Sequence, residues 1–175
     1  NYPEAHKNLY SALNLFEELE DWEKSAECHT WIGFNFYWQE NYEQAFNAYS
    51  NALKVYNQIG ATKSFGAAHS YIYLANIYRV QKKYSEAAHF NSTGLKISSE
   101  KNYKQLTANA YSCMGDILYD QILSSQFLNS SSRQSSSLKE ALNNYIEALN
   151  NFREAQDVGG MADSYQHVSE VNMRL

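Results

Sequence analysis

Apolar residues recur along this chain at helical spacing. Between residues 3 and 19, Ala5, Leu9, Ala12, Leu13 and Phe16 follow one another at steps of 4, 3, 1 and 3, which is one stripe of a helix. Pro3 falls in the first turn, where its missing N–H costs nothing. Asp21 is placed to cap a second helix over about 22–39. Glu40-Asn41 ends that helix, and Asn41 with Gln44 three residues on predicts a capping box opening a third helix that stops at Gly60. The same grammar predicts helices over about 64–81, 84–98, 103–123 and 138–156, the last of them opened by a Ser137/Glu140 capping box. A final helix is expected from Met161, after a break at Gly159-Gly160. About eight helices joined by short turns make the expected class all-α. Residues 124–137, SSQFLNSSSRQSSS, carry too little apolar matter to fold alone and read as a flexible Ser-rich insertion, either a plain exposed loop or a modification or docking site.

Laid on itself, the chain repeats. Tyr42-x2-Ala45-x3-Tyr49-x2-Ala52-Leu53 returns as Tyr84-x2-Ala87-x3-Asn91-x2-Gly94-Leu95, as Leu138-x2-Ala141-x3-Tyr145-x2-Ala148-Leu149, and at the start as Tyr2-x2-Ala5-x3-Leu9-x2-Ala12-Leu13. The partner helices align as His29-x2-Ile32-Gly33-x2-Phe36, Tyr71-x2-Leu74-Ala75-x2-Tyr78, Tyr111-x2-Met114-Gly115-x2-Leu118 and Tyr165-x2-Val168-Ser169. Small residues at Gly33, Ala75, Gly115, Ala45, Ala87 and Ala141 let antiparallel helices approach, while the large residues beside them fill the space between layers.

At these residues the chain resembles the tetratricopeptide repeat, W-x2-L-G-x2-Y followed by A-x3-F and a small residue. The resemblance covers essentially the whole chain. It implies one domain over residues 1–175, a right-handed α-solenoid of antiparallel helix pairs. The period departs from the standard unit: Ala5 to Ala45 is 40 residues and Ala45 to Ala87 is 42, against about 34, and the Pro that usually ends the second helix is absent. The longer unit resembles those of kinesin light chains, polarity scaffolds, Gram-positive peptide-pheromone receptors and many bacterial multidomain proteins. The chain opens on a second-of-pair helix, closes on a first-of-pair helix and lacks an initial Met, so it is expected to be a fragment of a longer chain. Its terminal faces are then covered by flanking repeats or by another molecule, or the last helix is a solvating cap.

In this family the first helix of each pair lines a concave groove, which implies candidate ligand contacts on the side of that helix away from its packing stripe. In the first full repeat these are Thr30, Trp31, Phe34, Tyr37 and Trp38. Thr30, Phe34, Tyr37 and Trp38 form a second apolar stripe, about 135° from the one made by His29, Ile32, Gly33 and Phe36. A helix apolar on two faces buries both or binds with one, so this stripe is either packing against a neighbouring helix or an aromatic floor for an apolar ligand anchor. The next repeat offers His69, Ile72, Tyr73, Asn76 and Arg79; the third offers Asn109, Ser112, Cys113, Asp116, Tyr119 and Asp120; the last helix offers Asp163, Gln166, His167 and Glu170. The inferred surface passes from aromatic to acidic. Its expected partner is a peptide or protein segment with bulky apolar residues at one end and basic residues at the other. Asn76 has the amide needed to grip an extended peptide backbone, as a groove Asn does in related peptide receptors, or is merely solvated or capping. The carboxylate clamp of chaperone-binding relatives needs several Lys, Arg and Asn, and only Asn76 and Arg79 qualify, so chaperone C-termini are not the expected ligand.

Composition narrows the remaining classes. With 14 Lys+Arg against 19 Asp+Glu and net charge -5, the chain lacks the basic face that nucleic acid or an anionic membrane calls for. No apolar run approaches the length of a membrane span, and no leader opens the chain. Cys28 and Cys113 stand far apart without partner spacing, which fits a reducing, cytoplasmic setting and gives neither disulfide nor zinc site. The five His residues show no metal-ligand pairing, and no phosphate loop or nucleophile elbow appears. Cys28 and His29, adjacent on a helix, point about 100° apart and do not form a thiol–base pair. The expectation is therefore a scaffold without catalytic residues, cofactor or metal. Its alternatives are a peptide-sensing regulatory domain of a larger signalling protein and a homo-oligomerisation module using the terminal helices.

Overall fold

The computed structural model of the chain describes residues 2–124 and 131–175. Among these residues it holds eight helices and no strand: α1 (Tyr2–Glu18), α2 (Trp22–Tyr37), α3 (Tyr42–Gln58), α4 (Phe65–Val80), α5 (Tyr84–Glu100), α6 (Lys104–Ser124), α7 (Ser131–Glu154) and α8 (Val158–Asn172). They form an α-solenoid of antiparallel helix pairs. None is long and apolar enough to cross a membrane.

Two helix starts differ from the sequence expectation. α7 begins at Ser131, so Ser137 lies inside the helix and the Ser137/Glu140 box does not open it. Leu138 is buried against Tyr119, Ile122 and Tyr145, and a helix anchored there extends N-terminally at one hydrogen bond per residue. Of the expected flexible insertion, residues 125–130 lie outside the described residues. α8 begins at Val158, with Gly159 and Gly160 in its first turn. The Asp157 side chain caps it, accepting from the Gly160 N–H at 3.0 Å. Gly160 is required here because a Cβ would enter the Phe152 ring. The Asn41 box is also incomplete: the Asn41 amide donates to the Gln44 side chain at 2.6 Å, and no side chain caps α3. Ser64 does cap α4, accepting from Ala67 N at 3.2 Å. Ser64→Ala is expected to cost about 1 kcal/mol in urea unfolding.

Among the described residues, six turns share one closure. Glu20, Glu40, Gly60, Lys82, Asn102 and Gln156 all adopt positive φ, between 54° and 72°. After each, the next N–H reaches back to a carbonyl five residues earlier: Asp21 to Phe16, Asn41 to Phe36, Ala61 to Tyr56, Lys83 to Tyr78, Tyr103 to Ser98 and Asp157 to Phe152. This is the Schellman closure, which satisfies the last carbonyls of each helix and turns the chain back on itself.

Within a pair, ring meets glycine. A Cβ at Gly33 would lie 2.9 Å from the Tyr49 ring, and one at Gly115 would lie 2.7 Å from the Tyr145 ring. The middle repeat has Ala75 and Asn91 at the equivalent positions, a larger residue facing a smaller one. Between pairs, α2 meets α4 and α4 meets α6 directly, whereas no comparable contact joins α3 to α5. The first helices of the pairs thus form an inner layer and the second helices an outer one, and the inner face is the concave one.

Candidate functional site

On that inner face a groove of about 260 Å³ runs across the repeats. Tyr37 and Trp38 of α2, Tyr73 and Asn76 of α4, Asn109, Ser112 and Asp116 of α6 and Asp163 of α8 line it. The buried Ile72 and Cys113 and, from the α7–α8 junction, Phe152, Asp157 and Gly160 complete it. Reading Gly159-Gly160 as a helix break hid this last contribution; the Asp157-x2-Gly160 cap was the available signal.

The aromatic stripe divides into packing and surface. Phe34 and Tyr37 are half-buried and meet Tyr73 edge-on, at 5.6 and 5.0 Å between ring centroids. Trp31 and Trp38 flank Phe34 at 5.7 and 6.0 Å, yet keep 46% and 56% of their surface exposed. Burial pushes the Tyr37 phenol up to about 12, a shift that the Arg79 charge partly opposes. It also raises Tyr73. Both remain neutral hydrogen-bonding groups at physiological pH.

Three expected contacts are withdrawn from the surface. Thr30 is buried, its hydroxyl donating to Ala26 O at 3.0 Å and lying 3.4 Å from the Ser70 hydroxyl, because α2 and α4 close over it. Ile72 is fully buried beneath the groove, packed with Ala68, Ile97 and Leu106. Tyr119 is buried against Leu138 and Val171, and its hydroxyl donates to Glu170 at 2.7 Å. His69 and Cys113 are buried as well. Helical periodicity places all five on the inner side, but contacts with neighbouring helices of both layers cover them.

Arg79 is engaged rather than free. It donates to Asp120 at 2.7 Å and lies 3.6 Å from Asp116. Asp116 also accepts from the Tyr145 hydroxyl at 2.8 Å and stands 3.7 Å from His167 Nδ1. Burial raises the Asp116 carboxyl, and Arg79 and the Tyr145 hydroxyl pull it back. Asn76 donates its amide to Ile72 O at 3.3 Å, a long bond within its own helix. Arg79 pairs with Asp116 and Asp120, and Asp157 and Asp163 add further carboxylates along the groove, so the negative sign persists at this end.

Residues 27–100 match the family model described as tetratricopeptide repeat. The crystal structure of BtubC (BKLC) from P. vanneervenii is similar over 99% of this chain and 74% of its own, with TM-score 0.67 and 16% identity. A crystal structure from Podosopora anserina, of kinesin light chain type with nearly identical TPR-like repeats, covers 99% of this chain and 88% of its own, with TM-score 0.51 and 10% identity. At such identities the likeness is one of fold. No curated protein matches the chain.

Proposed function

We propose that this chain, of which residues 27–100 match the tetratricopeptide-repeat model, binds on its concave face an extended peptide or protein segment carrying a bulky apolar anchor and basic residues. Proteins built from these repeats are in general interaction scaffolds rather than catalysts. The observation that carries the finer reading is Trp38, 56% exposed and lining a groove whose far side is carboxylate-rich, with Trp31, 46% exposed, on the other side of Phe34. Tryptophan on a rigid, half-desolvated surface is a typical hot-spot residue. Phe34 packs against both indoles and is itself held by Tyr73, so little side-chain freedom is lost on binding. Asn76 can exchange its long internal bond for a peptide carbonyl or N–H, and Asp116, Asp157 and Asp163 attract Lys or Arg farther along.

A peptide array that varies apolar and charged residues independently tests this reading. Peptides with an aromatic or leucine anchor followed by Lys or Arg are expected to bind best, with affinity falling as salt rises. Trp38→Ala is expected to weaken the best peptide about tenfold or more while leaving the unfolding midpoint within a few degrees of the original. Preferential capture of acidic peptides, or affinity indifferent to Trp31→Ala and Trp38→Ala, would sink the proposal.

A further inference from the structure

A second cavity, about 540 Å³ and within the usual range for small ligands, opens at the N-terminal end of α4. Its floor holds two buried polar atoms without a hydrogen-bond partner, the Tyr56 hydroxyl and His69 Nδ1. Tyr56 is 1% exposed and His69 5%. The Tyr56 hydroxyl abuts Gly66, in the first turn of α4, where any side chain would collide with it. Next to it lie the N–H groups of Phe65 and Gly66, which precede the first internal bonds of the helix. An orphaned buried hydroxyl and an orphaned imidazole nitrogen each cost stability unless something occupies the cavity and bonds to them.

The walls carry opposite charges. On α2 stand Glu23 and Glu27, with the Trp31 indole above them; across the cavity stand Lys63 and Lys101, with the Phe65 and Tyr103 rings. Phe65 meets Tyr103 edge-on at 5.4 Å, so the far wall is a fixed aromatic surface. Glu27 pairs with Lys24 and Lys63 with Glu100, each at 2.7 Å, but both pairs are solvent-exposed and weakly held. A ligand that is only an anion would sit on the lysines and the α4 N-terminus facing two carboxylates. A ligand that is only a cation would face two ammonium groups. A ligand with both charges matches both walls.

We propose that this cavity binds a small zwitterion with an apolar or aromatic body, of the class of a free amino acid or dipeptide. The carboxylate lies toward Lys101 and the first N–H groups of α4, the ammonium lies toward Glu23 and Glu27, and the body rests between Trp31 and Phe65. The ligand's polar atoms then supply the partners that Tyr56 and His69 lack. The proposal does not depend on peptide binding in the groove, because Trp38, Asn76 and Asp116 do not line this cavity. The cavities are nonetheless adjacent: His69 on this floor stacks on Tyr73 of the groove at 4.4 Å.

Calorimetric titration of the full chain with L-phenylalanine and with the dipeptide Ala-Phe, each compared with its N-acetyl and its carboxamide derivative, tests the assignment. One of the two free zwitterions is expected to bind at a single site, and blocking either charge should weaken it about fivefold. Glu23→Gln should weaken the free zwitterion and remove the penalty of N-acetylation. Lys101→Ala should do the same for amidation. Tyr56→Phe keeps the ring and should weaken the zwitterion with little change in the thermal midpoint, whereas Trp38→Ala should leave its affinity unchanged. Absence of binding by both zwitterions at millimolar concentration overturns the proposal, as does equal binding of blocked and free forms. Dependence on Trp38 instead of Tyr56 also overturns it, since the probe would then occupy the groove. Failure of the array experiment on the groove leaves all these readouts intact.

Discussion

Tyr49→Ala is expected to lower the unfolding free energy by about 3–5 kcal/mol in a urea titration. The ring is fully buried, lies over Gly33 on α2 and stacks on Tyr73 of α4 at 5.7 Å with 25° between planes, so its loss opens a cavity between two repeats. The glycine exists because of the ring. Gly33→Ala alone places a methyl 2.9 Å from it and should cost about 1–3 kcal/mol by overpacking, even though alanine favours the helix by about 1 kcal/mol. With Tyr49→Asn in the same chain, which recreates the Ala75/Asn91 combination of the next repeat, the Gly33→Ala penalty should vanish or change sign. Additive effects of the two substitutions would show that some other contact excludes a side chain at position 33. The hydroxyls separate the repeats further. Tyr49 OH is buried without a partner, whereas Tyr145 OH, at the equivalent position, donates to Asp116 at 2.8 Å. Tyr49→Phe should therefore be neutral or stabilising, and Tyr145→Phe should cost about 1–2 kcal/mol.

These pairs explain what could be read without coordinates. The spacing of small and large residues fixes which helices pair, because the same ring-on-glycine contact is written at Gly33/Tyr49 and again at Gly115/Tyr145. The turns were hidden, since positive φ is carried at Glu20, Glu40, Lys82 and Gln156, residues with no preference for it. What sets them is the Schellman bond back to the carbonyls of Phe16, Phe36, Tyr78 and Phe152. The inner face was expected from helical phase together with the family resemblance, which assigns the first helix of each pair to the groove. Depth on that face was not, because it depends on neighbouring helices of both layers: Thr30 disappears under Ser70, and Ile72 packs where Gly94 lets it approach the α5 backbone. Trp31 and Trp38 escape burial because they flank the contact that Phe34 makes with α4. The cavity at the start of α4 had no linear signature, being assembled from α2, the α3–α4 junction and the α5–α6 turn.

His69 shows how far depth alters chemistry. Rings of Trp31, Phe34, Tyr49, Phe65 and Tyr73 surround it, with centroids between 4.4 and 6.3 Å from its own. Burial lowers its pKa from 6.5 to about 4, so the folded chain holds a neutral imidazole at physiological pH. Between pH 4 and 6.5 the unfolded chain binds a proton at this site that the folded chain does not, and stability therefore rises with pH across the window. Stability from this residue is complete above 6.5 and is lost as pH falls toward 4; the loss amounts to about 3 kcal/mol. His29, also lowered by burial, adds a smaller slope of the same sign. Asp116 acts oppositely, because its raised pKa makes the folded chain hold a proton longer than the unfolded one as pH climbs above the ordinary aspartate value. Urea titrations at several pH values on the wild type and on His69→Phe isolate the term, since phenylalanine keeps the aromatic packing and removes the proton site. The variant should lose most of the acid sensitivity between pH 6.5 and 4 while keeping whatever His29 and Asp116 contribute. Parallel profiles for the two proteins would mean that a group other than His69 carries the acid sensitivity.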